Sequence, residues 1–164
     1  MKSNEQVFQK VPAVIDQVCA EGLMATNRFV PVPPWESLLQ GEWESDAWLL
    51  VEVEAGAPVG WCRLFSTGIP GEWELGIGLL SSYRNRGRGS RMIRQALRWA
   101  RHRGAQRVIL FTRCDNQRAI HVFEKCGFLP MDCEQGWLEM VCSLSAGEAL
   151  CQTGTMPQAG ISIH

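Results

Sequence analysis

The stretch Arg84-Asn85-Arg86-Gly87-Arg88-Gly89, followed at once by Ser90-Arg91-Met92-Ile93, decides how the chain is read. Before it, residues 72–80 alternate around Trp73, Leu75, Ile77 and Leu79, which is a strand pattern. After it, Ile93, Ala96, Leu97 and Ala100 recur at helical spacing from Gly89 to Arg103, and Gly104 stops the helix. A strand that ends in a glycine loop and turns straight into a helix aims several unpaired backbone N–H groups at one point, and that point attracts anions. Gly87 and Gly89 remove side chains that would hold an anion away from those amides, while Arg84, Arg86, Arg88 and Arg91 add positive charge. The stretch is read as a pyrophosphate-binding loop. The plainer alternative is an ordinary strand-to-helix turn with solvated arginines.

Charge is distributed to match. The net charge is only −1, yet residues 84–103 hold eight arginines and no acid, so the rest of the chain carries −9. A nucleic-acid binder would be basic overall and would interleave aromatics with its arginines, and here only Trp99 does so. A compact polyphosphate fits better. With 164 residues, 46% of them hydrophobic, the chain suits one α/β domain, taken as residues 1–145, with 146–164 as a C-terminal extension that lacks periodicity. No apolar run is long enough to span a membrane, and the polar start Met1-Lys2-Ser3-Asn4-Glu5 lacks a secretory core, so the expected compartment is the cytoplasm. Seven scattered cysteines without a Cys-x-x-Cys pair are expected to be mostly reduced and buried. Three distant histidines complete no metal-ligand spacing, so no metal is expected.

Outside the loop the pattern is mixed. Val11 to Glu21 has helical spacing, and Phe29-Val30-Pro31-Val32-Pro33-Pro34-Trp35 is extended, with a short helix expected over 36–39. Residues 47–54 and 58–66, separated by Ala55-Gly56-Ala57, read as a hairpin. Gly76 and Gly78 inside the next strand suggest a bulge or the close approach of a ligand or another backbone. Residues 107–112 read as a strand, 116–125 as a helix, and 128–132 and 137–144 as two last strands. Strand, helix, strand, helix implies a parallel crossover within a mixed sheet.

About thirty residues beyond the loop lies Asn116-Gln117-Arg118-Ala119-Ile120-His121-Val122-Phe123-Glu124-Lys125-Cys126-Gly127-Phe128. With this segment the chain resembles the GNAT family of N-acetyltransferases, whose loop runs Arg/Gln-x-x-Gly-x-Gly/Ala and whose next motif runs Asn-x-x-Ala-x-x-x-(Tyr/Phe)-Glu-Lys-x-Gly-Phe. The resemblance covers about residues 58–144. It implies an α/β (α+β) fold with a mixed, mostly antiparallel central sheet, a parallel crossover and helices on both faces. It also implies acetyl-CoA as co-substrate and an amine as acceptor, with a homodimer left open. Carried over by position, Ile77, Gly78 and Leu79 would hold the pantetheine arm and acyl group, and Arg84, Asn85, Arg86, Gly87, Arg88, Gly89 and Ser90 the pyrophosphate. Asn116 would bind near the pantetheine or thioester, and Phe123 belongs to the same contact set.

Acyl transfer to an amine needs a deprotonated nucleophile, stabilisation of the oxyanion and a fate for the departing thiolate. Glu74 is the favoured base and Glu72 the alternative, because residues two apart on a strand share a face. The plain reading of both is charge at a sheet edge. Many members of the family place an acidic tyrosine where this chain has Phe123, and its only tyrosine, Tyr83, reads as packing. Cys114, a serine or water then remain as proton donors. Phe111 stands where the ribosomal-protein alanine acetyltransferases carry a glutamate, which argues against that subgroup. His121 is read as surface or packing, and Trp61 and Trp73 as core, while Trp35 and Trp43 could line an acceptor pocket. The expected activity is transfer of an acetyl group to a primary amine of a small molecule or peptide. The alternatives are a non-catalytic acyl-CoA binding or sensing domain and a dinucleotide enzyme, the last disfavoured because Gly76 and Gly78 lie within a strand.

Overall fold

The computed structural model describes residues 47–55, 57–144 and 161–163. The helices expected at 11–21 and 36–39, the proline segment, Trp35 and Trp43 lie outside these. Strands β1 (Ala47–Glu54), β2 (Ala57–Ser66) and β3 (Glu72–Leu79) form an antiparallel meander. A 3₁₀ turn (Ser81–Tyr83) then leads to helix α1 (Arg88–His102), strand β4 (Arg107–Arg113), helix α2 (Gln117–Lys125), and the antiparallel pair β5 (Leu129–Glu134) and β6 (Trp137–Ser143). The short β7 (Ile161–Ile163) adds in parallel to β1, inside the tail that has no sequence periodicity. The sheet order is β5-β6-β4-β3-β2-β1-β7. This is the expected mixed, mostly antiparallel sheet with a parallel β3–α1–β4 crossover.

Both described helices pack on one face. Alternate strand residues Trp48, Leu50, Cys62, Leu64, Leu75, Val108, Leu110 and Met140 meet Met92, Ile93, Ala96, Leu97 and Ala100 of α1 and Ile120 and Phe123 of α2. Trp99 seals one end, edge-on to Trp73 with ring centroids 5.1 Å apart and tilted against Trp48 at 6.1 Å. The end of α1 follows from Gly104, whose φ of 78° is left-handed: the Gly104 N–H donates to Arg101 and the Ala105 N–H to Ala100, satisfying carbonyls that the helix itself leaves open.

Two features of β3 position the site. Its pairing with β2 is unbroken from Trp73 to Leu79, so neither glycine is a bulge. Gly76 instead lies opposite Arg63, where a Cβ would come within 3.0 Å of Arg63 Nε and 3.3 Å of the Trp61 ring. Pairing with β4, by contrast, stops after Glu72, Trp73 and Glu74, which meet Arg107, Val108 and Ile109. Beyond that rung the two parallel strands part.

On the β2 side the fit is tight at Gly60, where a Cβ would fall 2.7 Å from the Gly78 carbonyl oxygen and against the Leu79 side chain. Gly60→Ala is therefore expected to lower stability by about 1–3 kcal/mol in urea unfolding, because rigid strand backbone must move to admit one methyl.

Candidate active site

The gap between β3 and β4 is a cleft. One wall is Ile77, Gly78 and Leu79; the other is Thr112, with Asn116, Ala119, Val122 and Phe123 from the start and inner side of α2. Arg84, Asn85, Gly87, Gly89 and Ser90 close its outer end. The structure thus brings together most of the residues that the sequence suggests for a donor site, from segments lying between Ile77 and Phe123.

The loop is shaped by left-handed backbone. Asn85 (φ 61°) and Gly87 (φ 72°) turn the chain into α1, and the Arg84 Nε–H donates to the Leu79 carbonyl at 2.8 Å, tying the loop to the strand end. Among the described residues no side chain caps α1, and its first turn contains no acid. Its first N–H groups have no acceptor within the helix. A Cβ on Gly87 would meet nothing within 4 Å, so the approach to those amides is open. The residues present therefore fit a bound pyrophosphate.

The arginines divide into two sets. Arg84 lines the cleft and Arg86 is exposed beside it, whereas Arg88 turns away, its Nη1 3.3 Å from Glu52 Oε1 and its Nη2 on Glu54. Arg91 also bonds Glu52. Arginines at a helix N-terminus oppose the helix dipole, and the Glu52 and Glu54 carboxylates on β1 offset that repulsion. Local patterning gives no sign of this pairing, although two acids spaced two apart on one strand face are visible in retrospect. Tyr83 packs under Arg88, with the guanidinium 5.5 Å from its ring centroid.

Asn116 lines the cleft but its side chain is engaged, since Oδ1 accepts the Ala119 N–H at 3.2 Å as the N-cap of α2. Phe123 is buried edge-on to Phe128. Cys114, expected as a free thiol, forms a disulfide with Cys133 and holds no proton to give. Cys62 and Cys142 are buried, with thiol pKa values pushed up by desolvation. His121 is exposed, and Trp61 and Trp73 are core residues.

The two candidate bases differ sharply. Glu72 sits at the start of β3, receiving Arg107 Nε at 2.6 Å and the Thr67 hydroxyl at 2.9 Å. Glu74 occupies the last paired rung, at the point where the strands part, and is 1% exposed. Its Oε2 has no hydrogen-bond partner among the described residues. Burial pushes its pKa up from 4.5 to about 7, with Arg63 pulling it down and Glu72 adding a smaller upward push. Arg63, buried on the same face, stacks its guanidinium over the Trp61 and Phe65 rings at 5.6 and 5.1 Å. The environment therefore equips Glu74 to exchange a proton near neutral pH, while Glu72 is locked in an ion pair.

Comparison with known proteins agrees with this geometry. Over 52 residues the chain is 44% identical to the mycothiol acetyltransferase of Corynebacterium glutamicum (strain R), a match covering 32% of this chain but only 18% of that protein. The GNAT-family acetyltransferase from Streptococcus pneumoniae superposes with a TM-score of 0.67 at 18% identity, over 88% of this chain and 98% of the other. The PaiA N-acetyltransferase from Thermoplasma acidophilum, solved in complex with coenzyme A, gives 0.62 at 14% identity, over 87% and 96%. The model of the acetyltransferase (GNAT) family matches residues 20–128, two thirds of the chain, and the chain belongs to that family.

Proposed function

We propose that this protein is an acyl-CoA dependent N-acyltransferase that moves an acetyl group from acetyl-CoA to a primary amine of a small molecule or peptide, with both substrates bound at once. The observation that carries this reading is the parting of β3 from β4 beside an uncapped, glycine-entered helix start. One end of the cleft suits a pyrophosphate and the other offers unpaired strand backbone next to a buried carboxylate. In this reading the backbone of Ile77, Gly78 and Leu79 runs along the pantetheine arm and supplies the N–H that meets the thioester oxygen. Arg84 to Ser90 hold the pyrophosphate, and Asn116 and Phe123 shape the opposite wall. Glu74 takes a proton from the ammonium group of the acceptor, directly or through water. Glu72, about 7 Å further along the strand from the cleft and already paired, holds Arg107 instead.

A second reading, a binding domain without turnover, is favoured by two observations: Phe123 replaces a tyrosine, and Cys114 is oxidised. Thiol release from acetyl-CoA across a panel of amines separates the two.

Calorimetry tests the donor directly. Wild type is expected to bind acetyl-CoA well below millimolar concentration. Gly87→Glu should abolish that binding while remaining folded, with Gly87→Ala as the control for the left-handed backbone, which alone costs about 1–2 kcal/mol. Absence of heat with wild type would contradict the proposal.

The base carries a pH signature. The raised Glu74 pKa keeps the carboxyl protonated below about 7, so the rate for a given amine should rise as pH increases through 7 and the carboxylate forms. Glu74→Gln should remove that limb and slow turnover by about a hundredfold or more. An unchanged profile would reassign the base.

A further inference from the structure

We propose that the Thr112 hydroxyl donates a hydrogen bond to the sulfur of the bound thioester and holds the departing thiolate, in place of the tyrosine this chain lacks. The inference rests on the acyl-CoA reading above. Thr112 is fully buried, its Oγ1 has no hydrogen-bond partner among the described residues, and it lines the cleft. It follows Val108 and Leu110 on the face of β4 that packs against the helices. A valine would fill the same space without leaving a hydroxyl unpaired, so an alcohol at this position calls for a partner that arrives with a ligand.

Register says where that partner would be. β3 and β4 are paired in parallel through Glu74 and Ile109, and extending that count puts Ile77 and Thr112 on facing walls, each three residues beyond the last rung. The strand edge expected to meet the thioester oxygen and the Thr112 hydroxyl thus flank the same point from opposite sides. Among the other groups along the cleft, Phe123 has no donor, Cys114 is in a disulfide, Ser90 lies on the first turn of α1 at the pyrophosphate end, and Asn116 accepts the Ala119 N–H through Oδ1 while keeping its amide N–H groups on the α2 wall with exposed Arg118.

In the reaction, the amine nitrogen forms a bond to the thioester carbonyl carbon and the carbon–sulfur bond breaks with its electron pair on sulfur. One proton of the original ammonium goes to Glu74 and a second to water. Thr112 keeps its own proton, because an alcohol is a weaker acid than a thiol, and acts by hydrogen bonding to the growing thiolate. The same contact would stabilise the thiolate of bound coenzyme A, which gives a readout that needs no knowledge of the acceptor.

The test is ultraviolet titration of the thiol of coenzyme A bound to the full chain, read as the difference from the desulfo-coenzyme A complex. It is run on wild type, Thr112→Val, Thr112→Ala and Thr112→Ser, with binding of each ligand followed by calorimetry. Loss of the hydroxyl is expected to raise the bound thiol pKa by about one unit, while Thr112→Ser restores the wild-type value. A thiol that titrates identically in wild type and in whichever of Thr112→Val and Thr112→Ala binds coenzyme A would overturn the inference. Failure of wild type itself to bind coenzyme A would instead overturn the acyl-CoA reading, and the calorimetric arm shows which has failed.

Discussion

The structure depends on where two parallel strands stop being a sheet. β3 and β4 share three rungs, Glu72 to Glu74 against Arg107 to Ile109, and then diverge. Continued pairing would leave no cleft, and strand backbone from Leu75 onward would be satisfied within the sheet. Divergence leaves backbone N–H and C=O groups on facing edges that an extended ligand can pair, much as an added strand would. It also creates the apex at which Glu74 is buried with no hydrogen-bond partner for Oε2 among the described residues. Divergence is sustained from both sides: the β2 register holds β3 straight through Leu79, and β6 pairs along the whole of β4 from Arg107 to Arg113.

Electrostatics at the other end of the cleft follows from a conflict the fold has to settle. An arginine-rich first turn without a capping acid is unfavourable for an isolated helix, since cations there face the positive end of its dipole. The buried Glu52 and the Glu54 beside it draw Arg88 and Arg91 sideways onto β1, leaving the N–H groups of that turn uncovered. Arg84 and Arg86, outside this network, remain beside the cleft. Arginines that anchor the helix are thus separated from arginines left at the cleft, where the proposed function puts the pyrophosphate.

Much of the fold was legible because it is local. Alternation in residues 72–80 and the helical stripe of Ile93, Ala96, Leu97 and Ala100 depend on neighbours within a few positions, and these elements appear where the periodicity puts them. The loop was legible for the same reason, since its glycines and arginines adjoin in sequence. Contacts set by register between distant segments were not. Glu52 meets Arg88 across 36 residues, Cys114 finds Cys133 across 19, and Gly76 makes room for Arg63 rather than forming a bulge. Thr112 carries no sequence signal, because a threonine in a strand is ordinary; only the fold shows its hydroxyl buried without a partner among the described residues. The family resemblance pointed to a donor site through two motifs, whereas the acceptor side has no comparable motif in this chain.

The central claim is that the parted strands and the start of α1 form one donor site. Backbone amide NMR during titration with acetyl-CoA tests it most directly. The account predicts saturable shifts that share one dissociation constant at Ile77 to Leu79, Gly87 to Ser90 and Thr112 to Asn116, with β5 and β6 little changed. Shifts confined to the exposed arginines, without response from the β3 edge, would contradict it.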